Sequence, residues 1–158
     1  MSPEAILWSI LLSLTPISEL RGAIPYALYA KVPVLAAFGV CVLANALVFP
    51  IVFLFLGTLH RVLLRWSWYA AVVEPIIGRA RNMVRAPVEK YGYWGLMLFV
   101  AIPFPLTGAY TGSIGAWILG MRPWRSLIAV TAGVLIAGIA VTLVAFFGIK
   151  ALYFFIKA

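Results

Sequence analysis

From Ala5 to Ala30 the chain is apolar at both ends and broken in the middle, and this break limits the fold more than any other feature of the sequence. Ala5 to Leu14 has the pattern of a short apolar helix. The run Thr15-Pro16-Ile17-Ser18-Glu19-Leu20-Arg21-Gly22-Ala23-Ile24-Pro25 then places two prolines, a glycine and both signs of charge where a membrane span is most apolar. A second stretch repeats the plan. Trp94 to Ile102 is apolar, Pro103-Phe104-Pro105-Leu106-Thr107-Gly108-Ala109-Tyr110-Thr111-Gly112-Ser113 interrupts it, and apolar sequence resumes to Met121. Proline inside a helix removes an amide donor and clashes with the preceding turn. Each apolar half is about ten residues, against the roughly 20 that cross about 30 Å of hydrocarbon. Irregular backbone at membrane depth survives only where protein or a water-filled cavity satisfies it. The two stretches are therefore expected to form re-entrant hairpins, residues 3–30 and 92–121, whose breaks face each other inside the protein.

Two further stretches read as ordinary spans. Val32 to Leu59 and Ser126 to Ile149 are free of charge, and Pro33 and Pro123 stand at their entrances, where a helix tolerates proline. Asn45 and Pro50 interrupt the first span, and Gly133 and Gly138 give the second the small residues that suit close helix packing. Transmembrane helices are expected over residues 33–59 and 124–156. With 65% hydrophobic and 10% charged residues and a mean hydropathy of +1.11, the chain lacks the polar surface of a soluble domain. That excludes a soluble enzyme, a cytosolic binding module and a nucleic-acid binder. The net charge of +8 is explained by topology and anionic lipid. Cys41 is the one cysteine and permits no internal disulfide, and the one histidine, His60, has no metal-ligand companion. The opening Met-Ser-Pro-Glu lacks the basic region of a secretory signal, so no cleavage is expected.

Leu20-Arg21-Gly22-Ala23 in the first break corresponds to Leu106-Thr107-Gly108-Ala109 in the second, and a Pro-containing turn and a full span follow each. This is the mark of an internal repeat. One crossing per half requires the repeats, 1–59 and 91–158, to be inverted in the membrane, the plan on which secondary transporters place substrate between broken helices. The linker 60–90 carries Arg61, Arg65, Arg79, Arg81, Arg85 and Lys90 against Glu74 and Glu89, which places it in the cytoplasm. From Glu74-Pro75 onward, Ile76, Ala80, Met83, Val84 and Pro87 follow helical spacing, as in an amphipathic helix on the membrane surface. Trp66, Trp68, Tyr69, Tyr91, Tyr93 and Trp94 flank it as interfacial anchors. Charge counting leaves the crossing number open: hairpins and four plain spans both put eight Lys and Arg inside and three outside.

Glu19 and Arg21 are the strongest chemical signal, since a charge at the middle of a span costs at least about 2.5–3.5 kcal/mol. As structure, they form an ion pair that fixes the hairpin. As a site, Arg21 holds an anionic group such as a phosphate, and Glu19 exchanges a proton or pairs with a cation. Thr107, Tyr110, Thr111 and Ser113 supply hydroxyls for coordination or for the loop's own backbone, and Gly108 and Gly112 allow close approach. Asn45 bonds the neighbouring loop, lines the path or packs between helices. Pro16, Gly22, Pro25, Pro103, Pro105, Gly108 and Gly112 break the hairpins. An intramembrane enzyme is disfavoured: there is no Gly-x-Ser-x-Gly, no His-Glu-x-x-His and no Asp in the chain. Nothing calls for a cofactor or a metal.

Ser18-Glu19-Leu20-Arg21-Gly22-Ala23-Ile24-Pro25 with Ile102-Pro103-Phe104-Pro105-Leu106-Thr107-Gly108-Ala109-Tyr110-Thr111-Gly112 resembles the prokaryotic small multidrug export proteins, a distant branch of the DedA (SNARE-associated/VTT) superfamily. The resemblance covers essentially the whole chain. It implies hairpins entering from opposite faces, residence in the cytoplasmic membrane, homodimers, and translocation of undecaprenyl phosphate or phospholipid. Glu19 and Arg21 fall in the hairpin where DedA-like proteins carry essential acidic residues. In the second hairpin this chain departs, with Thr107 and Tyr110 where DedA proteins carry arginines. The reading is an all-α inverted-repeat transporter of an amphiphile, preferably a lipid phosphate, with proton coupling expected through Glu19. Its alternatives are a cationic-drug exporter exchanging protons and a non-transporting membrane scaffold.

Overall fold

The computed structural model describes residues 2–104 and 107–157, without the side chains of Arg61 and residues 149–157. Among the described residues all regular structure is helical. Two helical stretches are long and apolar enough to cross a membrane: Val34–Gly57 and Pro123–Gly148, of 24 and 26 residues. The first is interrupted at Leu47, between α3 (Val34–Ala46) and α4 (Val48–Gly57). Pro50 has no amide for the Ala46 carbonyl, so the expected interruption falls one turn before it. The second lies in α9 (Pro123–Lys157).

The chain forms two compact units, Met1–Asn45 with Leu135–Ala158, and Ala46–Val134. The first is built from two separate segments and the second is continuous, so the division differs from the sequential repeats. Each contains one broken stretch, the first half of the long helix that follows it, and the second half of the other long helix.

In the first unit α1 (Pro3–Ser13) opens with Ser2 accepting from the Ala5 amide, Pro3 at the first helical position and Glu4 in the first turn. These are the groups that satisfy and complement a helix N-terminus. The chain turns at residues 14–18, where Pro16 cannot continue α1, and returns as α2 (Glu19–Tyr29). Ala5 packs with Ala27, Val32 and Ala37, which brings the start of α1 to the end of α2 and the start of α3. At the other end the Asn45 amide donates to the Ser13 carbonyl at 2.8 Å. From Ala5 to Ser13 and from Ala37 to Asn45, α1 and α3 thus run side by side in the same direction. Gly138 is the close-packing position: a methyl there would lie 2.6 Å from Val42 and 3.1 Å from Phe38.

In the second unit α5 (Leu59–Leu63) leads to α6 (Ser67–Tyr91), then α7 (Tyr93–Ala101) and α8 (Ala109–Ile118). Helix α6 begins at Ser67, not at Glu74-Pro75 as the sequence suggests, and carries Pro75 and Pro87 within it. Tyr69, Ala80 and Val84 are its buried residues. Ile76, on the apolar face, is exposed and aligns with exposed Trp68 and Val72 at four-residue spacing. Gly92 turns α6 into α7 at φ 59°, ψ −131°, a conformation that requires glycine. A methyl on Gly95 would strike the Pro87 carbonyl. The Tyr93 hydroxyl accepts from the Arg122 amide at 3.2 Å, and Gly133 abuts Met97 and Val100, so α7 runs beside the first part of α9.

A side chain at Gly133 would begin 2.6 Å from the Met97 carbonyl and 2.7 Å from the Val100 Cβ. Gly133→Leu is expected to cost about 1–3 kcal/mol or more by overpacking. Gly39 has nothing within 4 Å of an added methyl, so Gly39→Ala is expected to gain about 0.5–1 kcal/mol. Thermal unfolding of both variants in detergent checks the pair.

Candidate functional site

The first hairpin tip holds the charges. Thr15, Pro16 and Ile17 form an exposed turn, with Ile17 96% exposed, and directly behind them Glu19 is only 9% exposed. Glu19 also has φ 45°, in the left-handed region that side chains with a Cβ rarely adopt. Such a conformation costs on the order of 1–3 kcal/mol and persists only where its surroundings enforce it. The Glu19 amide donates to the Thr15 carbonyl at 3.1 Å, which closes the turn. Arg21 is half-buried in the first turn of α2. Gly22 and Pro25, expected in the break, lie inside α2. Pro25 withholds an amide from the Arg21 carbonyl, and a methyl on Gly22 would strike the Ser18 hydroxyl.

Asn45 is 1% exposed and supports this tip from the adjoining helix. Its bond to Ser13 satisfies a carbonyl at the end of α1, where no helical amide follows. The bond goes to the last residue of α1, where the hairpin turn begins. Asn45→Leu removes the donor and leaves a buried carbonyl unsatisfied, at about 1–3 kcal/mol. Unfolding in detergent should show that loss, and Asn45→Gln should not restore it, because the longer side chain displaces the amide.

The second break uses its hydroxyls differently. Thr107 Oγ1 lies 2.7 Å from the Ile102 carbonyl and 2.8 Å from that of Phe104, and accepts from the Phe104 amide at 3.2 Å. Ser113 is fully buried and donates to the Ala109 carbonyl one turn back. Both therefore serve local backbone. Tyr110 and Thr111 are half-buried in the first turn of α8, and Gly108 precedes them at φ 142°. Gly112 lies within α8, packed on Val100 and Val130. Pro103 stands in the exposed loop, and Pro105 lies outside the described residues.

A family model described as "Putative small multi-drug export protein" matches residues 19–140. The chain belongs to that family. The match begins at Glu19, within the first break, and takes in the second break and the first part of α9. With its two apolar spans, this member of the small multidrug export family is a membrane protein. No curated protein and no solved structure matches the chain.

One buried polar cluster in this family member has no local signature in the sequence. His60 is 5% exposed, its Nδ1 lies 3.1 Å from the Tyr69 hydroxyl, and its ring meets Trp117 edge-on at 5.6 Å. Burial raises the Tyr69 phenol above its ordinary range, so it keeps its proton and can donate to the imidazole. The cluster ties α5 and α6 to α8; the histidine acts as structure.

Proposed function

We propose that this protein exports amphiphilic substrates across the cytoplasmic membrane, and that Glu19 is where a cationic substrate exchanges for a proton. The observation that carries this reading is the Glu19 carboxyl itself: buried, ionisable, held in left-handed backbone, and placed at the break of an apolar stretch. Ionisable groups at membrane depth mark ion and substrate pathways, and strained backbone gathers at such sites. The family description, multi-drug export, is compatible with such a substrate. Helices α1, α2, α7 and α8 have 9–11 residues each, about half of a membrane crossing at 1.5 Å per residue. The start of α1 lies beside the start of α3, and that of α7 beside that of α9. Both features favour re-entrant hairpins and one crossing per half, hence an inverted repeat with the basic α6 on the cytoplasmic side.

A second reading, DedA-like movement of a lipid phosphate, is favoured by Arg21, a half-buried guanidinium two residues beyond Glu19 that suits a phosphate. Neither reading contains a catalytic step. The experiment is flux in liposomes holding the purified protein, with a cationic dye and a labelled polyprenyl phosphate run in parallel. Dye movement that follows a proton gradient supports the first reading. Movement of the polyprenyl phosphate alone replaces it with the second, and movement of neither sinks both.

A further inference from the structure

We propose that the groove between α7 and the first turns of α9 holds an acyl chain of an anionic phospholipid, with the lipid phosphate on Arg125. The groove is open, about 340 Å³ in volume, and the surface that lines it is apolar throughout, Arg125 bordering it with its hydrocarbon stem. Small side chains make the floor: Ala129 and Ala132 leave a channel that Trp94, Met97 and Ile128 flank. Trp94 and Ile128 are 71% and 56% exposed, far more than a folded chain leaves such side chains in water, but ordinary against lipid tails. From Arg125 to Ala132 the groove follows α9 for about 10 Å at 1.5 Å per residue, a length suited to a hydrocarbon chain.

The end of the groove is what selects the headgroup. Arg125 is exposed, sits in the first turn of α9, and makes no ion pair among the described residues. Tyr93 and Trp94 lie at the same end, the aromatic residues found at headgroup level. The Tyr93 hydroxyl accepts from the Arg122 amide and keeps its own proton to donate, so the Arg125 guanidinium is the charged group for a phosphate and Tyr93 a neutral donor beside it. A second groove of about 280 Å³, on the Trp124 and Leu127 side of α9, is apolar and has no cation in its lining. It gives no reason for an anionic occupant and serves as the control.

The proposal needs a membrane protein but no transport activity, so it stands or falls apart from the export reading. Purified, delipidated protein is titrated with phosphatidylglycerol or phosphatidylcholine of identical chains, and bound lipid is read by native mass spectrometry. Wild type is expected to prefer phosphatidylglycerol by about five-fold, the effect of one cation near an anionic headgroup. Arg125→Gln, an exposed change that leaves the packing intact, should remove the preference. Ala132→Trp should fill the channel and remove the tightest lipid of either kind, whereas Leu127→Trp should not. Equal binding of the two lipids by wild type, or an unchanged preference in Arg125→Gln, overturns the proposal. So does an Ala132→Trp variant that keeps its lipid but changes from dimer to monomer in the same spectra, because the groove would then belong to a second copy of the chain.

Discussion

Glu19→Gln is expected to reduce proton-driven dye export to the level of liposomes without protein, with the variant still folded. Glutamine has nearly the size of glutamate and the same Cβ, so the backbone cost of φ 45° is unchanged. It loses only the ability to hold a charge and exchange a proton. In wild type the export rate should rise with the proton gradient that opposes the dye, and in Glu19→Gln it should be indifferent to that gradient. Dye flux and internal pH, followed together, test both statements. A Glu19→Gln protein that still couples dye to protons would remove Glu19 from the mechanism.

The broken stretches could be read from the sequence because proline and charge have few places in an apolar helix, and both turns lie within the segments so marked. Their limits were less legible. Gly22, Pro25 and Gly112 carry the residue types of a loop but belong to returning helices, where neighbours in the fold outweigh local propensity. Pro75 misled in the same way. It is a good helix start by composition, yet the helix begins at Ser67 because Tyr69 is buried with His60 and holds the earlier turns in place.

Glu19 and Arg21 stand out by charge alone. The left-handed conformation of Glu19 does not, since glycine and asparagine are the residues that usually signal it. The bond from Asn45 to Ser13 joins positions 32 residues apart and depends on the register of α1 against α3, which no local pattern specifies. Thr107 and Ser113 were legible as polar groups but not as groups engaged by local backbone, because a hydroxyl looks the same in either role.

Arg21 separates the two transport readings. If the substrate is a lipid phosphate, Arg21→Ala should abolish its movement, and Arg21→Lys should weaken it because an ammonium cannot reproduce the bidentate fork. If the substrate is a cationic amphiphile, Arg21→Ala should leave dye export intact or raise it by removing a competing positive charge near Glu19. Arg21→Ala can also strand the buried Glu19 charge, at about 3–5 kcal/mol, and so act through folding alone. Glu19→Gln with Arg21→Gln avoids this by removing both charges together. Folded yield and flux are therefore measured on the singles and the double. A well-folded double mutant that moves lipid phosphate at the wild-type rate removes both charges from lipid transport. If it is well folded and moves neither substrate, the transport defect cannot be assigned to a stranded charge, and the singles then show which substrate depended on which charge.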